Sequence, residues 1–504
     1  MARRTRTRLD FSPPPGRAVG STAAYVSRAH FDPRPGAIVA PAAVTAGVLV
    51  GTATAIDPRL GIALLLVACA VPLVLIDVVL GVALWAMLMP LANLPGFGLG
   101  ATAVGLLAIW SWLGLPHRER VPLRESVGGP VGAGALILLL AWISLSLGWA
   151  ENPGTGARVL WQWYVGAIIL AVVVTSLRRL RDARLVVGGF VLGVVLSVLV
   201  GLVNDGLGGA GAGAADTLTS TEGRLQGGLG DPNILAAAIV PAIVLAAALA
   251  AAARPQVRWA LLGCVGVLVV GLAATQSRGG AVGAAAAFAV GLLAVKGRGK
   301  HVLRAGVGAV LVGVLYFSAY PNALGRLESS DRGNGREDLW RVAWRITDDR
   351  PLTGVGLHNF TVYSPRYVRQ PGRLDFVDLI AERPHAVHNT LLEILTETGV
   401  VGLGLFLAVV SASLGAAWKA ARQFEHQGDE PAATLARGVA VATVGLLAAG
   451  MFATMTPRPV LWFLLALGPG LLVVSGRAAS SPQSSAGQYP RKATNGLTKA
   501  PERG

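Results

Sequence analysis

The feature that most constrains this chain is a succession of long apolar blocks with almost no charge inside them. Most blocks are close to the length of about 20 residues that a helix needs to cross a bilayer core of about 30 Å. They are continuous rather than alternating, which excludes a transmembrane β-barrel. The spans read from this pattern are 37–55, 60–75, 77–91, 100–115, 130–148, 159–177, 185–203, 232–252, 258–275, 279–295, 302–320, 389–415, 433–455 and 458–475. We therefore predict an all-α, polytopic membrane helix bundle of about 14 (12–14) transmembrane helices.

The distribution of charge agrees with a membrane domain. Of the 504 residues, only 14% are charged and 53% are hydrophobic, whereas a soluble domain carries roughly 25% charged residues. The net charge is +16, but it lies in short loops and two polar tails, as topology signals and contacts with anionic lipid do, so nucleic acid is not an expected partner. The tails, residues 1–36 and 476–504, are predicted to be disordered. Cys69 and Cys264 stand alone in apolar blocks and indicate neither a disulfide nor a zinc site.

Loop charge also predicts the orientation in the membrane. The uncertain stretch is 60–91, where Asp77 marks either a reversal or a kink. Two spans there place every Lys- and Arg-rich loop on the cytoplasmic side, whereas one span inverts all later loops and breaks the positive-inside rule. Both tails are then cytoplasmic, the transmembrane domain covers 37–475, and residues 321–388 form one large extracytoplasmic loop.

Positive charge on the outer side opposes the topology rule and needs another reason. The arginines concerned are Arg224, Arg278, Arg336, Arg341 and Arg345. Arginine offers a planar, forked set of donors that suits phosphate. The alternative is that each arginine pairs with a local carboxylate or extends to the membrane surface. The i, i+4 spacings of Trp340 with Trp344 and of Arg341 with Arg345 predict a short interfacial helix over 336–346.

A second group of polar residues lies at the outer start of the span 389–415. His388 precedes it, and the positive field of a helix N-terminus keeps an imidazole neutral and able to accept a proton. Asn389, Glu393 and Glu397 follow at i, i+4, i+8 on one helix face, and carboxylates in a span are functional candidates. The alternative is that His388 caps the helix and the glutamates pair with arginine. No grouping has the spacing of a metal site.

Taken in order, these motifs resemble the O-antigen ligase / O-antigen polymerase superfamily of bacterial membrane glycosyltransferases. The resemblance covers about 200–460, with the first 200 residues fitting only as hydrophobic helices. The motifs are Arg224 with Gly228 and Asp231-Pro232-Asn233-Ile234-Leu235-Ala236; Ser277-Arg278-Gly279; Arg336 with Trp340; Pro351-Leu352-Thr353-Gly354-Val355-Gly356 with Asn359-Phe360; and His388-Asn389 with Glu397, Gly399 and Gly402.

The resemblance implies a C-type glycosyltransferase-like fold in the bacterial cytoplasmic (inner) membrane. It implies transfer of a glycan, without metal or other cofactor, from an undecaprenyl-diphosphate carrier to an acceptor hydroxyl at the outer face. The partners implied are a lipid-linked oligosaccharide or polysaccharide donor, membrane lipid, and a glycan, glycolipid or protein acceptor. By the same resemblance, Arg224, Arg278 and Arg336 bind the diphosphate and His388 is the general base. His385 competes with His388 for that role, and Asn389, Glu393 and Glu397 support the site.

Two other functions fit a hydrophobic bundle. A multi-pass transporter or lipid-linked glycan flippase predicts charges near mid-span and inverted repeats, whereas the ionisable groups here lie at the outer ends of spans. A membrane scaffold whose outer loop binds a partner leaves the ordered motifs without a purpose. The sequence does not separate ligase from polymerase, since both use the same chemistry.

Overall fold

The computed structural model describes residues 35–114, 127–204, 224–294, 299–319, 336–370, 374 and 385–479. The chain divides into two units, residues 1–48 and 49–504. Within the described residues, the first unit holds only the beginning of helix α1. Nearly all of the two predicted disordered tails, and parts of the predicted outer loop 321–388, lie outside the described residues.

The described residues form α-helices joined by turns and short 3₁₀ segments. The helices are α1 (Pro35–Ile56), α2 (Pro58–Ile76), α3 (Val78–Leu88), α4 (Phe97–Gly114), α5 (Pro130–Leu145), α6 (Pro153–Ser176), α7 (Leu180–Asn204), α8 (Pro232–Ala252), α9 (Pro255–Ala274), α10 (Arg278–Ala294), α11 (Gly299–Ala319), α12 (Arg336–Asp349), α13 (Phe360–Val368), α14 (Thr390–His426), α15 (Glu430–Ala449) and α16 (Pro459–Ala479). The 3₁₀ segments are Met89–Leu91, Ser146–Gly148, Gly227–Leu229 and Gly450–Phe452. The predicted all-α architecture is therefore confirmed for the described part of the chain.

Ten of these helices are long and apolar enough to cross a membrane. Four shorter apolar helices occupy the other predicted spans: Val44–Ile56, Val78–Leu91, Arg278–Ala294 and Val302–Tyr316. The predicted count of about 14 spans stays a prediction, as does the side of the membrane that each end faces.

Local sequence sets where the helices begin. Several helices start with proline, whose fixed φ and missing N–H suit the first helical position. Asp57, Asp77, Asp231, Asn389 and Asp429 each precede a helix and accept a hydrogen bond from a backbone N–H of its first turn, as N-cap residues do. At Asp77 the backbone is extended, with φ −155° and ψ 125°, and separates α2 from α3. The carbonyl of Arg59 lies against Gly96, so α2 and α3 form a hairpin and Asp77 marks a reversal.

The centre of the second unit is built by α8, α15 and α16. Within the most apolar window of each, 72–78% of residues are buried, against 17–22% for α2, α4 and α9; the latter three therefore expose apolar side chains as lipid-facing helices do. The contact of α10 with α15 depends on glycine. A Cβ at Gly283 would stand 2.7 Å from the carbonyl oxygen of Gly445, an approach typical of small-residue packing between membrane helices.

Helix α14 is interrupted near its start. Gly399 has φ 68° and ψ −174°, a conformation that glycine adopts far more readily than other residues. Residues 351–356 run alongside the break: Val400 donates to the carbonyl of Pro351, and Val355 and Gly356 donate to the carbonyls of Thr396 and Glu397. The break thus attaches the segment after α12 to the first turns of α14.

Candidate functional site

Hydrogen bonds and ring contacts join the N-terminal ends of five helices at one end of the bundle. We call this region the charged end; it comprises residues 224–233, 275–278, 336–340, 385–390 and 453–458. The indole of Trp340 in α12 donates to the carbonyl of Val387 at 3.1 Å and stacks against Phe452 with ring centroids 5.8 Å apart. Thr390 at the start of α14 donates to the carbonyl of Ala453 at 2.7 Å and accepts from the N–H of Met455.

Arg224 fastens three segments of the charged end together. Its Nε donates to the carbonyl of Thr275 at 2.9 Å, and one terminal nitrogen donates to Oδ1 of Asn233 at 3.0 Å. The same Oδ1 accepts from the hydroxyl of Ser277 at 2.9 Å. Two donors of Arg224 are therefore already committed to fixing the turn before α10 against the start of α8.

Arg336 is in a different situation. It is the first residue of α12, its Nε is buried, and no hydrogen-bond acceptor in the described part of the chain reaches that atom. Burial lowers the pKa of Arg336, Asp231 opposes this and Arg278 adds to it. Arg278, the exposed first residue of α10, and Asp231 at the start of α8 are thus its charged neighbours. A buried guanidinium with an unmet donor is costly unless an anion completes its surroundings.

Arg458 repeats this situation in the turn before α16. It directly precedes α16, its Nε is also buried without an acceptor among the described residues, and burial lowers its pKa while Asp231 opposes the change. The sequence reasoning missed this residue. The predicted span 458–475 begins with Arg458, which makes it look like part of a helix. It stands instead in the turn Thr456-Pro457-Arg458-Pro459, which the predicted topology places on the outer side, where positive charge needs a special reason.

Asp231 is the carboxylate shared by these groups. Its Oδ1 accepts from the N–H of Asn233 at 2.7 Å and of Ile234 at 3.0 Å, which caps α8. The same side chain acts electrostatically on Arg336, Arg458 and His388. Glu337 and Asp338 also belong to the charged end, but they pair with Arg341. Asp231, which is already engaged in capping, does not by itself neutralise both Arg336 and Arg458, so positive charge remains at these two arginines.

His388 lies beside this positive charge and just outside α14. The helix cap is Asn389, whose Oδ1 accepts from the N–H of Leu392 at 3.1 Å, so His388 is not the capping residue. The pKa of His388 is lowered to about 4, chiefly by burial and also by Arg336 and His385, while Asp231 opposes the change. The imidazole is therefore neutral at physiological pH and can accept a proton. Nε2 of His385 is buried without a hydrogen-bond partner in the described structure.

Backbone strain marks the same motifs. Within the described residues, the non-glycine residues with positive φ are Gln276 (49°), His358 (54°) and His388 (52°). Gln276 stands two residues before Arg278, and His358 stands next to Asn359. Such left-handed conformations persist only where the surroundings enforce them, and they cluster at functional sites.

The predicted interfacial helix extends to Asp349 and packs on protein. Leu339, Val342 and Ile346 are buried against α13 and α14. Trp340 also faces protein, as described above, whereas the Trp344 side chain is exposed.

The remaining two arginines that the sequence predicts on the outer side are held by neighbouring groups. Arg341 follows the alternative of pairing with a local carboxylate: it donates to Asp338 at 2.8 Å and lies 3.7 Å from Glu337. Arg345 instead donates to the backbone carbonyl of Tyr367 at 2.8 Å.

The two glutamates of α14 are buried and hydrogen-bonded away from the arginines. Glu393 accepts from the hydroxyl of Thr454 at 2.6 Å, and Glu397 accepts from the backbone N–H of His358 at 2.8 Å. Glu393 thus ties α14 to the turn before α16, and Glu397 ties it to the turn before α13. That turn is fixed again by Asn359, whose Oδ1 accepts from the N–H of Asn152 at 2.9 Å.

The structure therefore brings Arg224, Arg278, Arg336, His385 and His388 to the charged end, and adds Arg458. It places Asn389 at the helix cap and Glu393 and Glu397 in connections that support α14. Among the residues that the structure describes, no group of three or more His, Cys, Asp or Glu side chains is arranged to hold a metal ion. The metal-independent reaction implied by the resemblance stays a prediction.

Comparison with known proteins agrees with this arrangement. No curated protein matches the chain. Residues 263–407 match the family model described as O-antigen ligase; this segment runs from within α9 to within α14 and contains Arg278, Arg336 and His388. The match confirms the resemblance to the O-antigen ligase / O-antigen polymerase superfamily and, with the membrane-length helices, supports a membrane enzyme that transfers glycan. Residues 263–407 are thus similar to an O-antigen ligase domain, and this similarity, together with the ten membrane-length helices, supports a multi-pass bacterial membrane protein.

Proposed function

We propose that this protein is a surface polysaccharide ligase or polymerase. It moves a glycan from an undecaprenyl-diphosphate carrier to an acceptor hydroxyl at the outer face of the cytoplasmic membrane. The observation that carries the proposal is the charged end itself, where the buried Nε atoms of Arg336 and Arg458 have no acceptor in the described part of the chain and His388 has a neutral imidazole and a strained backbone. A diphosphate supplies the negative charge and the acceptor atoms that these arginines lack. In this proposal both chain termini are cytoplasmic and the charged end faces outward.

The arginines contribute in different ways to binding the lipid-linked glycan donor. Arg278 and Arg336 donate to the phosphate oxygens and offset the charge that builds up as the glycosyl bond breaks. Arg224 contributes mainly its charge, because two of its donors already hold Thr275 and Asn233. Such compensation matters because the diphosphate leaves with more negative charge than it carries in the bound donor.

His388 serves the acceptor. Its neutral imidazole takes the proton of the acceptor hydroxyl while the oxygen bonds to the anomeric carbon, and the bond from that carbon to the diphosphate oxygen breaks. The bound diphosphate also prepares the base. Its negative charge opposes the effect of Arg336, so the pKa of His388 rises from its low value in the empty site and the imidazole becomes a stronger proton acceptor.

His385 is the competing base. It lies three residues earlier and contributes to the low pKa of His388, so both imidazoles are near the same charges. The strained backbone at His388 and its position next to the cap of α14 favour His388. In this assignment His385 donates a hydrogen bond to the donor or acceptor glycan.

The first experiment is deletion of the gene, with analysis of surface glycans. Loss of the normal chain-length distribution indicates a polymerase, whereas accumulation of intact lipid-linked polymer indicates a ligase. Complementation with His388→Ala or Arg278→Ala is expected to leave the defect in place, with membrane insertion unchanged. The matched control is Arg477→Ala in the last turn of α16, which is expected to restore the glycan. Full complementation by both site variants contradicts the mechanism, and transport of lipid-linked glycan in proteoliposomes without acceptor favours a transporter.

A further inference from the structure

The turn that carries Arg458 is attached to the candidate site by hydrogen bonds. Thr390 holds the carbonyl of Ala453 and the N–H of Met455, and Glu393 holds the hydroxyl of Thr454. The N–H of Arg458 in turn donates to the carbonyl of Met455 at 2.9 Å. The backbone of Arg458 is therefore fixed relative to the first turn of α14, next to His388.

The Arg458 side chain has a positive charge and one buried donor without an acceptor among the described residues. Its Nε is buried with no acceptor in the described part of the chain. Asp231 is the carboxylate that acts on it, and Asp231 is shared with Arg336 and already caps α8. A guanidinium in such surroundings is stabilised when an external anion takes its open donors.

Arg458 comes from a different segment than the other arginines near Asp231. Arg336 and Arg278 are the first residues of α12 and α10, whereas Arg458 stands in the turn that Thr390 and Met455 fix before α16. Asp231 acts on both Arg336 and Arg458. An anion with two linked charged centres can contact arginines from separate segments at the same time, which an anion with a single centre does less well.

Resting on the proposed function, we propose that Arg458 binds the second phosphate of the lipid diphosphate and makes the site select diphosphate carriers over monophosphate carriers. Arg278 and Arg336 hold one phosphate, and Arg458 holds the other through its forked donors. Arg458 lies outside the family match at 263–407, so the match gives it no role. The consequence is that a monophosphate carrier, which offers no diphosphate leaving group, competes poorly for the site.

The test measures the affinities of farnesyl diphosphate and farnesyl monophosphate for the full-length protein in lipid nanodiscs. Wild type is expected to prefer the diphosphate by at least about tenfold, because a charged hydrogen-bonding partner is lost with the second phosphate. Arg458→Ala is expected to weaken diphosphate binding by about tenfold or more and monophosphate binding by less than about threefold. The matched control, Arg477→Ala, removes an arginine from the last turn of α16, the helix that Arg458 precedes, and is expected to keep the wild-type preference.

Arg458→Lys keeps the positive charge but loses the forked donors, and it covers the case in which the alanine variant does not fold. It is expected to give a preference between those of wild type and Arg458→Ala. An unchanged preference in the folded Arg458 variants, or equal weakening of both ligands, overturns the role of Arg458. Absence of diphosphate binding in wild type contradicts the proposed function instead, which separates the two failures.

Discussion

Arginines with buried guanidinium atoms occur at both ends of the helical bundle, and their surroundings are opposite. Arg437 in α15 is 4% exposed and pairs with Glu425 and with Glu430, the latter at 3.2 Å. Arg336 and Arg458 at the charged end have buried Nε atoms without acceptors in the described structure and share Asp231. Burial of an arginine therefore does not by itself indicate a binding site. A buried donor without an acceptor among the described residues does, because an anion from outside can complete it.

The largest effect is expected from removing the open arginine. Arg336→Met is expected to reduce glycan transfer by at least about 100-fold, since it removes a donor aimed at developing negative charge. The unfolding temperature is expected to stay the same or rise, because no carboxylate depends on Arg336 alone. Transfer in proteoliposomes and thermal unfolding of the same preparation measure both quantities. A loss of activity that simply follows a loss of folded protein would make Arg336 a structural residue.

The reverse result is expected for the paired arginine. Arg437→Met leaves Glu425 and Glu430 without their cation and is expected to lower the free energy of unfolding by about 1–3 kcal/mol, less than for a fully buried pair because both carboxylates reach solvent. Transfer per folded molecule is expected to be unchanged. The control combines Arg437→Met with Glu425→Gln and Glu430→Gln, which should recover stability. If the triple variant is less stable than Arg437→Met, the pairing account of this cluster fails.

A buried glutamate that is hydrogen-bonded to backbone makes a third case. Glu397→Gln turns an acceptor of the His358 N–H into a group that also carries donors, and is expected to cost about 1–3 kcal/mol of stability. Transfer is expected to fall far less than in Arg336→Met, because Glu397 holds the turn before α13 rather than the substrate. Glu337→Gln, on the exposed side of α12, is the matched control. A drop in transfer as large as that of Arg336→Met, at full stability, would place Glu397 in the chemistry.

Part of the fold and of the candidate site can be predicted from the sequence. The helical class, the break at Asp77 and the association of Arg278, Arg336 and His388 all follow from apolar blocks, capping residues and charge on the unexpected side. Arg341 shows the limit of that charge argument. Its positive charge is paired with Asp338 and Glu337, which lie one helical turn away. The spacing in the sequence permits this pairing but does not require it.

Other features depend on contacts between distant segments. The positive φ of Gln276 and His388 and the break of α14 at Gly399 are held by the surrounding structure, and no local pattern specifies them. The role of Asn359 depends on Asn152, more than two hundred residues away in the chain. The sequence gives Arg458 no role, because it is the first residue of a predicted span. Only the fold brings it near Asp231.

The next prediction concerns the pH below which transfer is lost, which is set by the protonation of His388. His388 acts as a base only above its own pKa, and burial lowers that pKa to about 4 in the empty site. The acid limb of kcat/KM is therefore expected well below pH 6.5, with activity level from about pH 8 to about pH 5. The acid limb of kcat should lie at higher pH, since bound diphosphate opposes the effect of Arg336. An acid limb of kcat/KM near pH 6.5 contradicts this assignment, and loss of transfer in His385→Gln with His388→Gln active makes His385 the base.

The smallest effect is expected from an arginine paired at the surface. Arg341 has a side chain 49% exposed and bonds to Asp338 and Glu337 on its own helix. Arg341→Ala is expected to change stability by less than about 1 kcal/mol and to leave transfer within about twofold of wild type. The same transfer and unfolding measurements apply. A large loss of transfer would show that Arg341 takes part in the reaction although it is paired with carboxylates, which contradicts the contrast between paired arginines and arginines with unmet donors.

The most direct test is an electron cryomicroscopy structure of the full chain in lipid nanodiscs with a bound polyisoprenyl diphosphate. The central claim is that the unmet donors at the charged end are the diphosphate site. It predicts phosphate density contacting Arg278 and Arg336 beside His388, with the Arg437 cluster unchanged. Diphosphate bound elsewhere on the protein, with the Nε of Arg336 still lacking an acceptor, would contradict the claim.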